Sequence, residues 1–490
     1  MAVSVQRRRR DSVSPGVPGD HPHHGVCSID ARAPAHVVGT PVLLPGKDFP
    51  ACGKNRCGER LMENRTPPTM KERARSMDRF LSDSLPGYLR VLSDMIAINS
   101  HTMNAAGVNR LCDYTRAVFE KRGFTGRKIS SVYKGCGNHL LLSRAGTSPE
   151  KIGCVSHLDT VFTAEEEVRN GFVFRIAGDR IYGPGANDIK GGTAVMLMMI
   201  DALRRFAPDA FERFSWELLF DATEETESDD FGAIAREALG TTGRACLVFE
   251  SGEHAENEFI LTAARKGRAV MRVTTSGKSA HAGSDHARGA SAILQMADLL
   301  PKLEALTDYA AGLTCTVGTV EGGTALNRVP DSCDAGMEIR AFDPAVLSGA
   351  VEKALSYNGY STVGSADGSF RCVARVELLR TNPSWPMNPG TGSLVAAWSR
   401  AAAVMGKGIL AAPRGGISDG NLLWDTLPVI DGLGPAGDNC HCAESTADGL
   451  KEQEYALMSS FVPKAVLSAL ALCELARKDD GTDGGMHDAG

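Results

Sequence analysis

Between residues 137 and 250, short and nearly continuous apolar runs alternate with stretches of helical spacing. GNHLLLSRAG (137–146), KIGCVSHLDTVF (151–162), SWELLFDATEETES (215–228) and ACLVFESG (245–252) read as strands. They are too apolar to leave one face wet, which predicts a mostly parallel sheet covered on both sides. YGPGANDIKGGTAVMLMMIDAL supplies a glycine-rich turn and then a helix from about Lys190, apolar nearly all round and therefore buried. The alternation predicts an α/β fold with a doubly wound sheet. Upstream, LPGYLRVLSDMIAI (85–98) has helical spacing, and a second amphipathic helix is expected from about Ala105 to a stop at Gly123.

The texture changes near Arg265. GRAVMRVTTSG, TCTVGTVEGG, CDAGMEIRAFD and ARVELLRT are β-rich runs separated by helix-like stretches, notably 287–306. They predict a compact α+β insertion over 265–382, after which the first domain resumes through 383–478 and ends in a long helix from about Gln453. The chain therefore divides into an extension (1–75), a catalytic domain in two parts (76–264 and 383–478), the insertion between them, and a tail (479–490). The tail reads as disordered by composition, and the extension either as disordered or as sequence upstream of a true start at Met62 or Met70.

Composition narrows the function. The chain is 43% hydrophobic and 23% charged with net charge −6, so it lacks the basic excess of a nucleic-acid binder. No uninterrupted apolar run is long enough to span a membrane. Four arginines at 7–10 would suit an export signal, yet DSVSPGVPGDHPHHG follows instead of an apolar core. Thirteen scattered cysteines without a CxxC pair read as reduced thiols in a cytoplasmic enzyme. His21, His23 and His24 in the extension read as a solvated tail. Cys52 and Cys57 lack a companion pair at zinc-site spacing.

The candidate chemistry lies where the strands stop. His157, Asp188, Glu225, Glu250 and His441 each follow a strand-like run or glycine-rich turn, with Glu224 beside Glu225. Ligands in such sheets bind beyond the carboxyl ends of the strands. Taken singly, each has a plain structural role: a core histidine, a helix N-cap, a loop acid. Together, imidazoles and carboxylates without thiolates suit zinc or another divalent ion. Two cations sharing one carboxylate would acidify a water between them. Residues i and i+2 of extended chain share a face, so Asp159 is placed to accept the other ring N–H of His157. Glu224 is left to face the water as general base.

These motifs resemble a zinc metallopeptidase family, that of glutamate carboxypeptidase, acetylornithine deacetylase, succinyl-diaminopimelate desuccinylase, aminoacylase and dipeptidases. SHLDTVF, YGPGANDIKGG, ATEETES, FESG and GPAGDNCHC occur in the family's order across about residues 80–478. The resemblance implies one Zn²⁺ (or Co²⁺ or Mn²⁺) on His157, Asp188 and Glu250, and a second on Asp188, Glu225 and His441. Asp188 then bridges and is followed by a cis peptide. It also implies that the insertion is a lid and homodimerisation domain. His281, in GKSAHAG, would reach across the dimer to the oxyanion, and Asn327, Arg340, Arg414 and Ser418 would contact a substrate carboxylate. Cys440 and Cys442, flanking His441 on an expected strand, would point away from the metals.

The function so implied is hydrolysis of the amide bond next to a C-terminal amino acid, with INSHT and GGISDGN leaning to the glutamate-releasing branch. The substrate would be a small peptide or N-acyl amino acid. An N-acyl-amino-acid deacylase is the alternative within the family. A catalytically inactive, metal-binding interaction protein is the alternative from another class, and it would be favoured by loss of a ligand or of the base.

Overall fold

The structure, a computed structural model, describes residues 68–226, 228–255 and 257–477. The expected extension as far as residue 67, including the arginine run, His21, His23, His24, Cys52 and Cys57, lies outside the described residues, as does the tail from residue 478.

Among the described residues, a six-stranded sheet runs in the order 125–130, 138–144, 215–221, 151–157, 243–248, 429–430. The first two pairings are antiparallel and the last three parallel. The central strands are buried almost end to end because helices cover both faces. On one face pack the helices Met70–Ile96, Lys190–Phe206 and Met458–Ala476, and on the other Asp229–Leu239. Helix Met458–Ala476 is long and apolar enough to cross a bilayer, but 78% of its apolar window is buried inside this domain.

The first helix begins at Met70, so residues 70–75, expected to be irregular, are helical instead. Thr69 and Glu72 form a reciprocal capping box there, and Ala74, Met77 and Leu81 bury at helical spacing beneath a run of exposed basic residues. Those charges hid the apolar stripe from a reading by composition.

Register levels the chemistry-bearing strand ends. His157 is paired with Asp221, three residues before Glu224, and Val155 with Val248, two residues before Glu250. Parallel strands in register thus deliver their C-terminal loops to one edge.

The insertion folds as a four-stranded antiparallel sheet, ordered 314–322, 332–341, 267–276, 373–382. Ala269, Met271 and Val273 bury against helices Ala292–Glu304 and Pro344–Leu355. The alternate positions Arg268 and Arg340, directly paired across two strands, share the opposite face.

Candidate metal centre

Two groups of donor atoms, His157–Asp188–Glu250 and Asp188–Glu225–His441, each lie within 4.8 Å of one another and have Asp188 in common. His157 closes its strand almost fully buried. Its Nδ1 donates to the carbonyl of Asp159 at 3.0 Å. That leaves the Nε2 lone pair facing Asp188 Oδ1 at 3.0 Å and Glu250 Oε1 at 3.7 Å. Asp188 sits in the turn before helix Lys190–Phe206, followed by a cis peptide. The amide N–H groups of Asn187 and Asp188 both donate to Glu454 Oε1. The second oxygen of Asp188 is 3.4 Å from His441 Nε2, and Glu225 Oε2 is 3.2 Å from the same nitrogen.

Four carboxylates gathered this closely repel one another. Burial, followed by the charge of Asp188, lifts Glu250 to about 8. Burial lifts Glu224 well above the usual range, with the charge of His157 opposing and those of Glu250, Glu225 and Asp188 reinforcing. Hydrogen bonds donated to the carboxylates of Asp188 and Glu225 push His441 up to about 11. The environment therefore favours positive charge between the carboxylates. A donor set of two imidazoles and three carboxylates with one shared member fits a pair of divalent cations, and thiolate-seeking metals less well.

Four expectations need correction. The carboxylate of Asp159 does not take the His157 ring N–H, since the chain turns after the strand and brings the Asp159 carbonyl closer. The carboxylate, 3.5 Å from the ring, instead accepts the amides of Glu224 and Glu225 at 3.2 Å each and the hydroxyl of Thr102 at 2.7 Å. It thus holds the acidic turn in place. Ser418, expected at the substrate, is buried with its hydroxyl donating to Asp431 and accepting from the Gly420 amide. It caps a short 3₁₀ turn, and its one donor is spent on Asp431 instead of a substrate carboxylate. His441 is not on a strand: it comes after the two-residue strand Gly437–Asp438, in a turn at φ 68°. With that, Cys440 does not point away: it lines the same cavity as His441 and accepts from Asn187 Nδ2.

The cavity over the centre, of 430 Å³, is acidic on one side and basic on the other. Arg340 and Arg414, expected there, are present, along with Arg265 and Arg268, which sequence reasoning missed. Arg265 ends an apolar strand in the same way as the acidic residues do, and that was its available signal. Thr102 and Glu454 carried none.

His281 and Asn327 are not brought to the centre by their own chain. Both are exposed and line a separate 350 Å³ cavity in the insertion. The His281 Nδ1 accepts the amides of Gly283 and Ser284 at 3.1 Å each, which leaves Nε2–H as an outward donor.

A family model described as a peptidase dimerisation domain matches residues 263–358. Carboxypeptidase G2 of Pseudomonas sp. (strain RS-16) is 24% identical over 364 residues, 74% of this chain and 84% of that one. Acetylornithine deacetylase of Erwinia tasmaniensis is 25% identical over 308 residues, 58% of this chain and 77% of that one. Among solved structures, the aminopeptidase PepT of Bacillus cereus superposes with a TM-score of 0.61 at 21% identity, covering 80% of this chain and 98% of that one. At that identity the likeness establishes the fold.

Proposed function

We propose that this chain hydrolyses the amide bond next to a C-terminal amino acid as one of the metallopeptidases and amidohydrolases that carry the peptidase dimerisation domain, a reading supported by the match over residues 263–358 and by its carboxypeptidase and deacetylase relatives. The observation that carries the reading is the sharing of Asp188 between two donor triads at the floor of an arginine-walled cavity. Bound there, two divalent cations, zinc in this reading, would supply Lewis acidity to a water and to the scissile carbonyl.

The chain's own groups account for the rest. His157, Asp188 and Glu250 would hold one cation, and Asp188, Glu225 and His441 the other. Glu224, half-buried and with a raised pKa, takes a proton from the attacking water and passes it to the leaving amine nitrogen. Asp159 and Thr102 keep that carboxylate turn aimed. Arg340 and Arg414 face the cavity as forked donors suited to the carboxylate of the leaving amino acid, glutamate included. His281 and Asn327, remote from the centre in their own chain, act in a homodimer, where the outward Nε2–H of a second copy steadies the oxyanion. The ten described cysteines are free, which suits a reducing, cytoplasmic setting.

The test is a panel of dipeptides and N-acetyl amino acids sharing one leaving residue, assayed with metal analysis on the purified protein. Metal-dependent release of the C-terminal amino acid supports the reading, and preference for acetyl substrates moves it to the deacylase alternative. Metal binding without turnover of any substrate would leave only an interaction protein.

A further inference from the structure

We infer that His139 is a positioning residue for the proposed hydrolysis, bracing the turn of Glu224 and Glu225 at a second point besides Asp159. This rests on the hydrolase reading above. His139 is buried on strand Asn138–Arg144 and does not line the cavity over the centre. Its Nε2 lies 3.0 Å from Asp230 Oδ2, and its Nδ1 lies 3.0 Å from Asp221 Oδ1. Two carboxylates can take both nitrogens only when each nitrogen carries a proton, so the bridging ring is an imidazolium. In the uncharged ring Nδ1 would accept the Ala222 amide instead, 3.2 Å away.

Charge favours the bridge. Asp221 is wholly buried, and its Oδ2 has no hydrogen-bond partner. Among the described residues, the cation that meets it is His139. A buried carboxylate stripped of such a partner is costly. Burial works against a charged ring, but the hydrogen bonds and charges of Asp221 and then Asp230 outweigh it and raise His139 above its usual range. Those two are the titratable groups facing the ring, from strand Ser215–Asp221 and helix Asp229–Leu239. Its partner on strand Thr125–Ser130 is the apolar Ile129, and the Phe231 ring lies 5.6 Å away.

Each end of the bridge is tied down. Asp221 Oδ1 also accepts the amide and the hydroxyl of Thr223, at 2.8 Å and 3.1 Å. The Thr223 carbonyl in turn accepts the amide and the hydroxyl of Thr226, at 3.0 Å and 3.3 Å. Glu224 and Glu225 are the two residues enclosed by that turn. At the far end, Asp230 Oδ2 also accepts Ser131 Oγ and the Val132 amide at 2.9 Å each, which fixes the anchor. His139 therefore sets where Asp221 holds Thr223, and through it the direction of the Glu224 carboxylate.

The experiment assays the metal-loaded full chain on one dipeptide across pH, as the unaltered protein, His139→Gln, Asp230→Asn and the double variant. His139→Gln cannot carry the charge. It is expected to lower kcat by about tenfold or more, the worth of one charge-assisted hydrogen bond, with KM and metal content unchanged. Asp230→Asn removes a charge that raises His139, so the ring loses its proton at lower pH. The alkaline fall of kcat should then move down by about one pH unit or more. In the His139→Gln background the same change should move that limb no further. If His139→Gln does not fold, the pH shift in Asp230→Asn decides the matter alone. Unaltered kcat in folded His139→Gln, or an alkaline limb unmoved by Asp230→Asn, would overturn the inference and leave the hydrolase reading intact. Loss of metal in step with kcat would overturn it too, since the ring would then serve only the fold of the centre. No turnover by the unaltered protein would take down the hydrolase reading, and this inference with it.

Discussion

Arg265 and Asp431 form a buried ion pair, Nε to Oδ2 at 2.7 Å, where the last residue of strand Glu258–Arg265 meets the segment after the sheet's edge strand. The same guanidinium donates to the carbonyls of Gly416 and Ile417 and lines the cavity over the metal centre. Removing one partner strands the other charge in a site it cannot leave, at a cost of about 3–5 kcal/mol. Asp431→Asn should therefore lower unfolding stability by about 3 kcal/mol in a urea titration. A loss below about 1 kcal/mol would mean that solvent reaches the pair.

Thr102 reaches the centre only through Asp159, to which its buried hydroxyl donates at 2.7 Å. Thr102→Val keeps the shape and leaves one carboxylate oxygen short of a donor, at about 1–3 kcal/mol. Because Asp159 aims the Glu224 turn, kcat should fall while KM and metal content hold. A change in KM alone would place Thr102 at the substrate.

Glu224 and Glu225 are neighbours with different tasks in the proposed reaction. Glu224→Ala should lose about 10²–10⁴ in kcat, the usual worth of a general base, and keep its metal by elemental analysis. Glu225→Ala should lose metal as well as turnover, because Glu225 faces His441 at 3.2 Å. Equal metal loss in both variants would exchange or merge the roles.

Arg340 and Ser418, both expected at the substrate, separate under mutation. Arg340→Met should raise KM by about tenfold or more for a substrate with a free carboxylate, consistent with a charge-assisted bond. Ser418→Ala should leave KM unchanged and lower the melting temperature, since its hydroxyl serves Asp431 and the Gly420 amide. A KM effect of Ser418→Ala would return it to the substrate.

Lys464 carries a pH dependence of stability. Burial and then the charge of Arg414 hold its ammonium down at about 7, while its Nζ donates to the carbonyl of Gly432 at 2.9 Å. The unfolded side chain keeps its proton to about pH 10.4. Between those values the unfolded chain binds more protons, so this residue's contribution to stability rises with pH, and below pH 7 its penalty is fully present. Relative to Lys464→Met, the unaltered protein should gain on the order of a few kcal/mol from pH 7 to pH 10, at about 1.4 kcal/mol per pKa unit. A flat difference in chemical denaturation across that range would show the amine to be solvated.

The apolar runs ending in His157, in the turn at Glu224 and Glu225, and in Glu250 were legible from the sequence, because a buried parallel strand needs continuous apolar residues and its end is marked where they stop. The same periodicity marked the helix from Lys190 and the separate β-rich insertion. Only the tertiary structure decided what touches what. Asp159 turned from His157 to the Glu224 amides, Ser418 was consumed by a cap, and His441 arrived on a left-handed turn instead of a strand. Arg265, Arg268, Thr102 and Glu454 entered the site from segments far apart in the chain. The physical reason is that periodicity is a local property, set by which face of an element is dry. A hydrogen bond between loops depends instead on how several elements pack, and no short window of sequence contains that geometry.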